Sequence, residues 1–245
     1  AAIEQSYARG QTDEFIRPTI IGDYQGIGPK DSVIFWNFRQ DRELQLTTAF
    51  RETEERFFNY KQGTKPIDNW IYQEIQTVQR RIKEIIFVAM TEYYPGLNAD
   101  VAFTEPVIPG TVGEVVAAAG LRQLRIAGSE KFNHVTRWFS GRRSGSFEGE
   151  ERFLAQDLTL KERTENGKRY DLVPEMTLPI EVQYGLRAIE SRSFGLIVHN
   201  IQNGDMVGHT GNMDAAVAAV GYISRALAWL IPACVENGGI FVLTA

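Results

Sequence analysis

The sequence predicts an α/β protein with a mainly parallel sheet flanked by helices. Short apolar runs alternate with helix-like segments along the chain, the pattern of strands that pair in parallel through helical crossovers. The runs are apolar on both faces, as strands covered on both sides are. A Pro- and Gly-rich stretch, Glu105-Pro106-Val107-Ile108-Pro109-Gly110, interrupts the alternation and marks a domain boundary. The expected domains are therefore residues 1–109 and 110–245.

The elements follow in order. The start, Ala1-Ala2-Ile3, runs at once into the tail of a helix. Val33-Ile34-Phe35-Trp36 is a strand that leads through Asn37-Phe38-Arg39 into a helix from about Asp41, whose carboxylate suits the positive first turn. Gln73 to Glu84 has roughly helical spacing and is expected on the surface. Ile85 to Met90 is a second buried strand, broken by Tyr93-Tyr94-Pro95-Gly96. Thr111 and Glu114 have capping-box spacing at the head of a helix that Gly120 ends. Gln123 to Ala127 and Phe194 to Asn200 are further strands, the latter followed by Asn203-Gly204-Asp205-Met206-Val207-Gly208-His209 and a long Ala-rich helix. Gly239 to Ala245 reads as one more buried apolar strand.

Three constellations carry chemistry. Asp205 and His209 lie four apart just past a strand, the edge where open α/β sheets bind ligands. A carboxylate and an imidazole suit a divalent cation such as Mn2+ or Zn2+, although a turn with two polar ends has the same sequence. Gly204 and Gly208 point to a loop rather than to successive helical turns. Arg39 and Arg42, three apart at a strand-to-helix turn, can grip a carboxylate and a phosphate with planar guanidinium forks. A solvated pair, with Arg42 bridging to Asp41 or Glu43, is the alternative. Lys131, in Ser129-Glu130-Lys131-Phe132-Asn133-His134, follows a strand end and could aim a point charge at a phosphoryl group; an exposed helical lysine is the plainer reading. His134 reads as a packing or supporting residue, and His199 as a buried, hydrogen-bonded histidine. Arg142, Arg143 and Ser144 read as a solvated loop, and Tyr170 to Met176 as structural, at a strand end and turn.

The run NGDMVGHTG resembles a signature of the cofactor-independent (2,3-bisphosphoglycerate-independent) phosphoglycerate mutases, metalloenzymes of the alkaline phosphatase superfamily. SYARGQTDEFIRPTII, VIFWNFRQDRELQLTTAF, TVGEVVAAAGLRQLRIAGSEKFNHVTRWFSG, FEGEERFL and YDLVPEMT match in the same order, and Arg51 to Lys83 is the weakest part. The resemblance implies an alkaline phosphatase-like, mainly parallel sheet in 110–245 and part of an inserted α/β transferase domain in 1–109. It implies interconversion of 3-phosphoglycerate and 2-phosphoglycerate through a phosphoserine, with two divalent cations, Mn2+ first and Mg2+, Zn2+ or Co2+ as alternatives, and no organic cofactor. Arg39 and Arg42 then bind substrate, Lys131 is catalytic, and Asp205 and His209 hold one metal. The serine and the remaining ligands are expected outside these residues, so the chain reads as the middle of a longer enzyme, inactive alone. The substrate-bearing cleft is expected to open and close about the linker near residue 110. Another metal-dependent phosphatase or phosphomutase of the superfamily, which would share the metal loop but has no reason to carry NFRQDR, and a non-catalytic binding or scaffold protein are the competing readings.

A net charge of −5 and a pI near 5.4 argue against nucleic acid or an anionic membrane as partner. No apolar stretch is expected to span a bilayer, and no secretory leader opens the chain. Cys234 is the only cysteine, which excludes an internal disulfide and fits a reducing cytoplasm. A cytoplasmic monomer acting on a small molecule is the expectation.

Overall fold

The structure, a computed structural model, describes residues 2–11, 13, 16–39, 43–51, 84–94, 96–104, 106, 108–143, 145–165 and 169–245. Asp41, Arg42 and the helix expected over Gln73 to Glu84, except Glu84 itself, lie outside these. Two compact units result: Thr19–Pro106 is one, and Ala1–Pro18 with Val107–Ala245 is the other. Residues 1–18, expected with the first domain, thus cluster with the second.

In the unit Thr19–Pro106, β1 (Ser32–Phe35), β2 (Ile86–Ala89) and β3 (Asp100–Val101) form a parallel sheet in that order, with Ser32 opposite Ile86 and Val88 opposite Asp100. Helix α2 (Glu43–Arg51) follows β1. Phe87, Ala89 and Tyr93 form the core, with Phe35 and Phe50 packed on it. Phe35 meets Phe87 and Tyr93 edge-on at centroid separations of 6.1 and 5.8 Å, the geometry ring quadrupoles favour. The strand expected to be buried on both faces is buried on one. Phe87 and Ala89 point inward while Ile86 is exposed, so the period of two shows through the apolar run.

In the other unit, α1 (Ala2–Ala8) opens the chain. Helix α3 (Val112–Ala118) starts at Thr111, whose side chain accepts from Glu114 N–H. The Glu114 carboxylate reaches back to Gly110 N–H at 2.7 Å, one residue before the cap, so the box closes a residue early. Gly120 ends the turn at φ +69°, a conformation that favours glycine. Strand β4 (Gln123–Gly128) is central, between β5 (Glu150–Ala155) and β6 (Leu196–His199), all parallel. A π-helical turn (His134–Trp138), a short α4 (Leu160–Arg163), a 3-10 turn (Tyr170–Leu172) and α5 (Leu178–Glu190) intervene. Tyr170 to Met176 therefore bridges helices and does not end a strand. Helix α6 (Asn203–Gly208) and α7 (Met213–Glu236) follow β6. Leu124, Ile126 and Ala188 form the core, with Phe153 stacked on Tyr184 at 3.7 Å. A second cluster, Tyr170, Met176, Val207, Ala215 and Ala219, lies under α6.

Two expectations are corrected here. Gly239 to Ala245 forms no strand, and Ile240, Val242 and Leu243 are exposed. Apolarity makes a strand only where an edge receives it, and no ladder forms with this run. Helix α7 is long and apolar enough, by length and composition alone, to cross a bilayer. Ala215, Ala219, Ala226 and Leu230 bury one stripe of it, which a core helix also does.

Candidate functional site

The site grows from the carboxyl ends of β4 and β6. Strand β4 ends at Gly128, and the chain turns at once: Lys131 N–H bonds Gly128 C=O at 3.3 Å and His134 N–H bonds Lys131 C=O at 3.0 Å. This tight turn brings Lys131 inward, with its side chain only 20 % exposed, so the plain reading of a solvated lysine fails. From β6 the chain passes through Gln202 into α6. Asn203 Nδ2 donates to Pro174 C=O and Glu175 C=O at 2.8 and 2.9 Å and so pins the head of that helix.

Asp205 and His209 stand one turn apart, His209 at the C-terminal cap of α6. The loop expected from the flanking glycines is absent, because Gly204 and Gly208 keep negative φ and continue the helix. A Cβ would meet nothing within 4 Å at Gly208 and only Ile223 Cδ1, at 3.8 Å, at Gly204. The i, i+4 spacing therefore does the converging.

Lys131 Nζ lies 2.6 Å from Asp205 Oδ2, and His209 Nε2 lies 3.5 Å from Asp205 Oδ1. Burial alone pushes the Asp205 carboxyl up. The Lys131 hydrogen bond and charge, joined by His209 and His134, outweigh it and hold the carboxyl below its usual range. Bonds of about 2.1 Å to one cation would leave an oxygen and a nitrogen about 3 to 3.5 Å apart, so this pair fits joint ligation. It is two ligands of a set. Among the described residues no group of three or more His, Cys, Asp or Glu is gathered.

Sequence reasoning missed Glu130 and gave Tyr170 only a structural part. Tyr170 O–H donates to Glu130 Oε1 at 3.0 Å, beside Lys131, while Glu130 Oε2 is buried without a hydrogen-bond partner. The signal available was adjacency: Glu130 precedes Lys131. His134 packs edge-on against Trp138 at 4.3 Å, and its charge reaches Asp205. His199 Nε2 bonds Glu181 Oε2 at 2.8 Å, as a hydrogen-bonded histidine should. Arg143 stacks over Phe147 at 4.7 Å, and Arg142 is exposed at φ +71°.

In the unit Thr19–Pro106, Arg39 is exposed past the end of β1. Its N–H bonds Asn37 Oδ1 at 3.0 Å, and Asn37 Nδ2 donates to Glu43 Oε1, so one asparagine bonds both Arg39 and the first residue of α2. Arg42, the other half of the predicted clamp, is outside the described residues.

The model of a family described as the metalloenzyme superfamily matches residues 43–245. Proteins named 2,3-bisphosphoglycerate-independent phosphoglycerate mutase align along the whole chain. One from Chloroflexus aurantiacus is 38% identical, one from Lawsonia intracellularis 39%, and one from Methanosarcina acetivorans 37%. The chain spans 45%, 44% and 43% of those proteins respectively. In fold the chain is similar to the Leishmania mexicana phosphoglycerate mutase in crystals at low cobalt concentration, with TM-score 0.67 and 23% identity over 97% of this chain and 40% of that one.

Proposed function

We propose, for a chain that belongs to the metalloenzyme superfamily, that it works as part of a cofactor-independent phosphoglycerate mutase. The polypeptide carrying it would interconvert 3-phosphoglycerate and 2-phosphoglycerate. The observation that carries this reading is the convergence of Lys131, Asp205 and His209 at the carboxyl ends of two parallel strands. Alignment over the full chain with proteins named for that activity supports it.

The division of labour follows from the side chains. Asp205 and His209 would hold one divalent cation, Mn2+ first among the alternatives. Bound there, such a cation would supply charge neutralisation on the phosphoryl group and would make an oxygen nucleophile more acidic. Lys131 offsets negative charge on the phosphoryl oxygens, which a compact ammonium charge on a flexible stem does well. Arg39, with Arg42, binds the substrate's carboxylate or phosphate through guanidinium forks. The phosphoryl group passes to a serine and returns to the other hydroxyl of the retained glycerate. The units 1–18 with 107–245 and 19–106 would be parts of the phosphatase-like and transferase domains respectively.

The test is conversion of 3-phosphoglycerate by the polypeptide that carries these residues, without 2,3-bisphosphoglycerate and with Mn2+. Turnover that falls by at least about 100-fold in Lys131→Ala, the scale of losing one electrostatic contact to the transition state, supports the reading. Hydrolysis to free phosphate with no isomerisation would favour a phosphatase of the same superfamily.

A further inference from the structure

A buried polar network that the proposed chemistry does not use sits directly beneath the site. Glu181, on α5, is 0 % exposed. Its Oε1 accepts from Thr177 Oγ1 at 2.6 Å and from Gln202 Nε2 at 2.7 Å, and its Oε2 pairs with His199 Nε2 at 2.8 Å. Gln202 Nε2 also donates to Thr177 Oγ1 at 2.8 Å, and Gln202 Oε1 accepts from Gly128 N–H at 3.3 Å. Both amide hydrogens, the amide oxygen and both carboxylate oxygens are thus engaged, and a fully satisfied buried network of this kind rigidifies what it joins.

What it joins is specific. Gly128 is the last residue of β4 and accepts from Lys131 N–H at 3.3 Å. Gln202 is the N-terminal cap of α6, and its C=O accepts from Met206 N–H at 3.0 Å, beside Asp205. One side chain therefore ties the turn that presents Lys131 to the helix that presents Asp205. The approach is so close that a Cβ on residue 128 would run into Gln202 Nε2 and lie 2.8 Å from Thr177 Oγ1, so any larger residue there would displace the amide.

We propose that Gln202, oriented by Glu181, is a positioning residue that sets the separation of Lys131 and Asp205. It touches neither substrate nor cation. The significance of that separation for catalysis rests on the mutase reading, but the positioning itself does not, and its readouts are geometric. Glu181 acts through Gln202, because a carboxylate that only accepts forces the amide nitrogen toward itself and the amide oxygen toward Gly128 N–H.

The experiment uses the 245-residue chain. Amide exchange at Gly128, the nitrogen-15 signal of the Lys131 ammonium when paired with Asp205, and the melting temperature are measured by NMR and calorimetry. Gln202→Met keeps the volume and removes the hydrogen bonds. It should speed exchange at Gly128 by about 10-fold, the scale of one net hydrogen bond, and abolish the slowly exchanging Lys131 signal while exchange within β5 is unchanged. The exchanged pair Gln202→Glu with Glu181→Gln puts the carboxylate against Gly128 N–H and the amide against it, so donors and acceptors balance again. It should restore both signals, which a residue that merely fills space would not do. Should Gln202→Met fail to fold, the exchanged pair is compared with Glu181→Gln alone. Wild-type Gly128 protection and Lys131 pairing in Gln202→Met overturn the proposal, as does a folded exchanged pair that restores neither. Failure of the mutase reading shows separately, as absent phosphoglycerate conversion by the longer polypeptide that carries these residues, with these signals intact.

Discussion

If Asp205 holds a divalent cation as proposed, Lys131 and that cation are rivals for the same carboxylate. Lys131 Nζ sits 2.6 Å from Asp205 Oδ2, where a metal bound by Asp205 and His209 would meet its positive charge. Lys131→Met should therefore raise Co2+ affinity, read by the visible absorption of the ion during titration, because repulsion at short range disfavours binding a cation beside an ammonium. Asp205→Ala and His209→Ala should each lower it by about 10- to 100-fold or more, by analogy with the losses from removing supporting groups at metal sites. Equal affinity in all three variants would dissociate these residues from any cation. Asp205 and His209 were legible in the sequence as a spacing. That Lys131 pairs with Asp205 was not, since 74 residues separate them and only the parallel pairing of β4 with β6 brings the strand ends together. Glu181 and Gln202 were equally unreadable, because a buried carboxylate looks in sequence like any polar residue on a helix.

At the scale of elements, the 3-10 turn Tyr170–Leu172 is locked to the start of α7 by Asp171. Arg169 Nε and Nη2 donate to its two oxygens, each at 2.9 Å, and Asn212 Nδ2 reaches Oδ2 at 3.4 Å. The Arg169 hydrogen bonds hold the Asp171 carboxyl below its usual range, against a smaller upward push from burial. A depressed folded-state value means the unfolded chain takes up the proton first. The stabilisation is complete above the unfolded value, about pH 4, and is lost as pH falls through the folded one. The melting-temperature gap between wild type and Asp171→Asn should be widest near neutrality and close as pH falls through the depressed folded-state value. A gap independent of pH would mean the aspartate acts through shape alone. Helix α3 offers a second check. A Cβ at Gly113 would lie 2.8 Å from Phe147 Cε2 and 2.9 Å from Arg125 Nη2, so Gly113→Ala should cost about 1 to 3 kcal/mol of stability in denaturant titration, the range of overpacking. A glycine inside a helix usually gains from that substitution, so stabilisation would contradict the packing. The helices and parallel strands were legible because periodicity and caps are local, as at Thr111 and Gly120. The failures were of context: α6 in place of a loop, and exposed Ile240 and Val242 in place of a strand, depend on partners that local pattern does not contain.

For the whole molecule the decisive quantity is the number of metal ligands in one place. Asp205 and His209 converge, yet among the described residues no third His, Cys, Asp or Glu joins them. Catalytic metal sites in proteins rest on about three protein ligands or more with an open position, and each ligand must also give up a proton or an existing partner, here Lys131. The 245-residue chain by itself should therefore bind Mn2+ or Co2+ weakly, release it on gel filtration, and show no isomerisation of 3-phosphoglycerate. Its relatives of matching sequence are more than twice as long, with the chain spanning 43% to 45% of them. Metal analysis of the eluted protein, run beside the polypeptide of full relative length, measures this directly. Less than stoichiometric metal on the short chain and stoichiometric metal on the long one would mean that residues beyond these 245 complete the site around Asp205 and His209. Stoichiometric metal on the short chain, lost in Asp205→Ala, would instead mean that the cluster recruits ligands of another kind, such as backbone carbonyls or water, and that two side chains suffice.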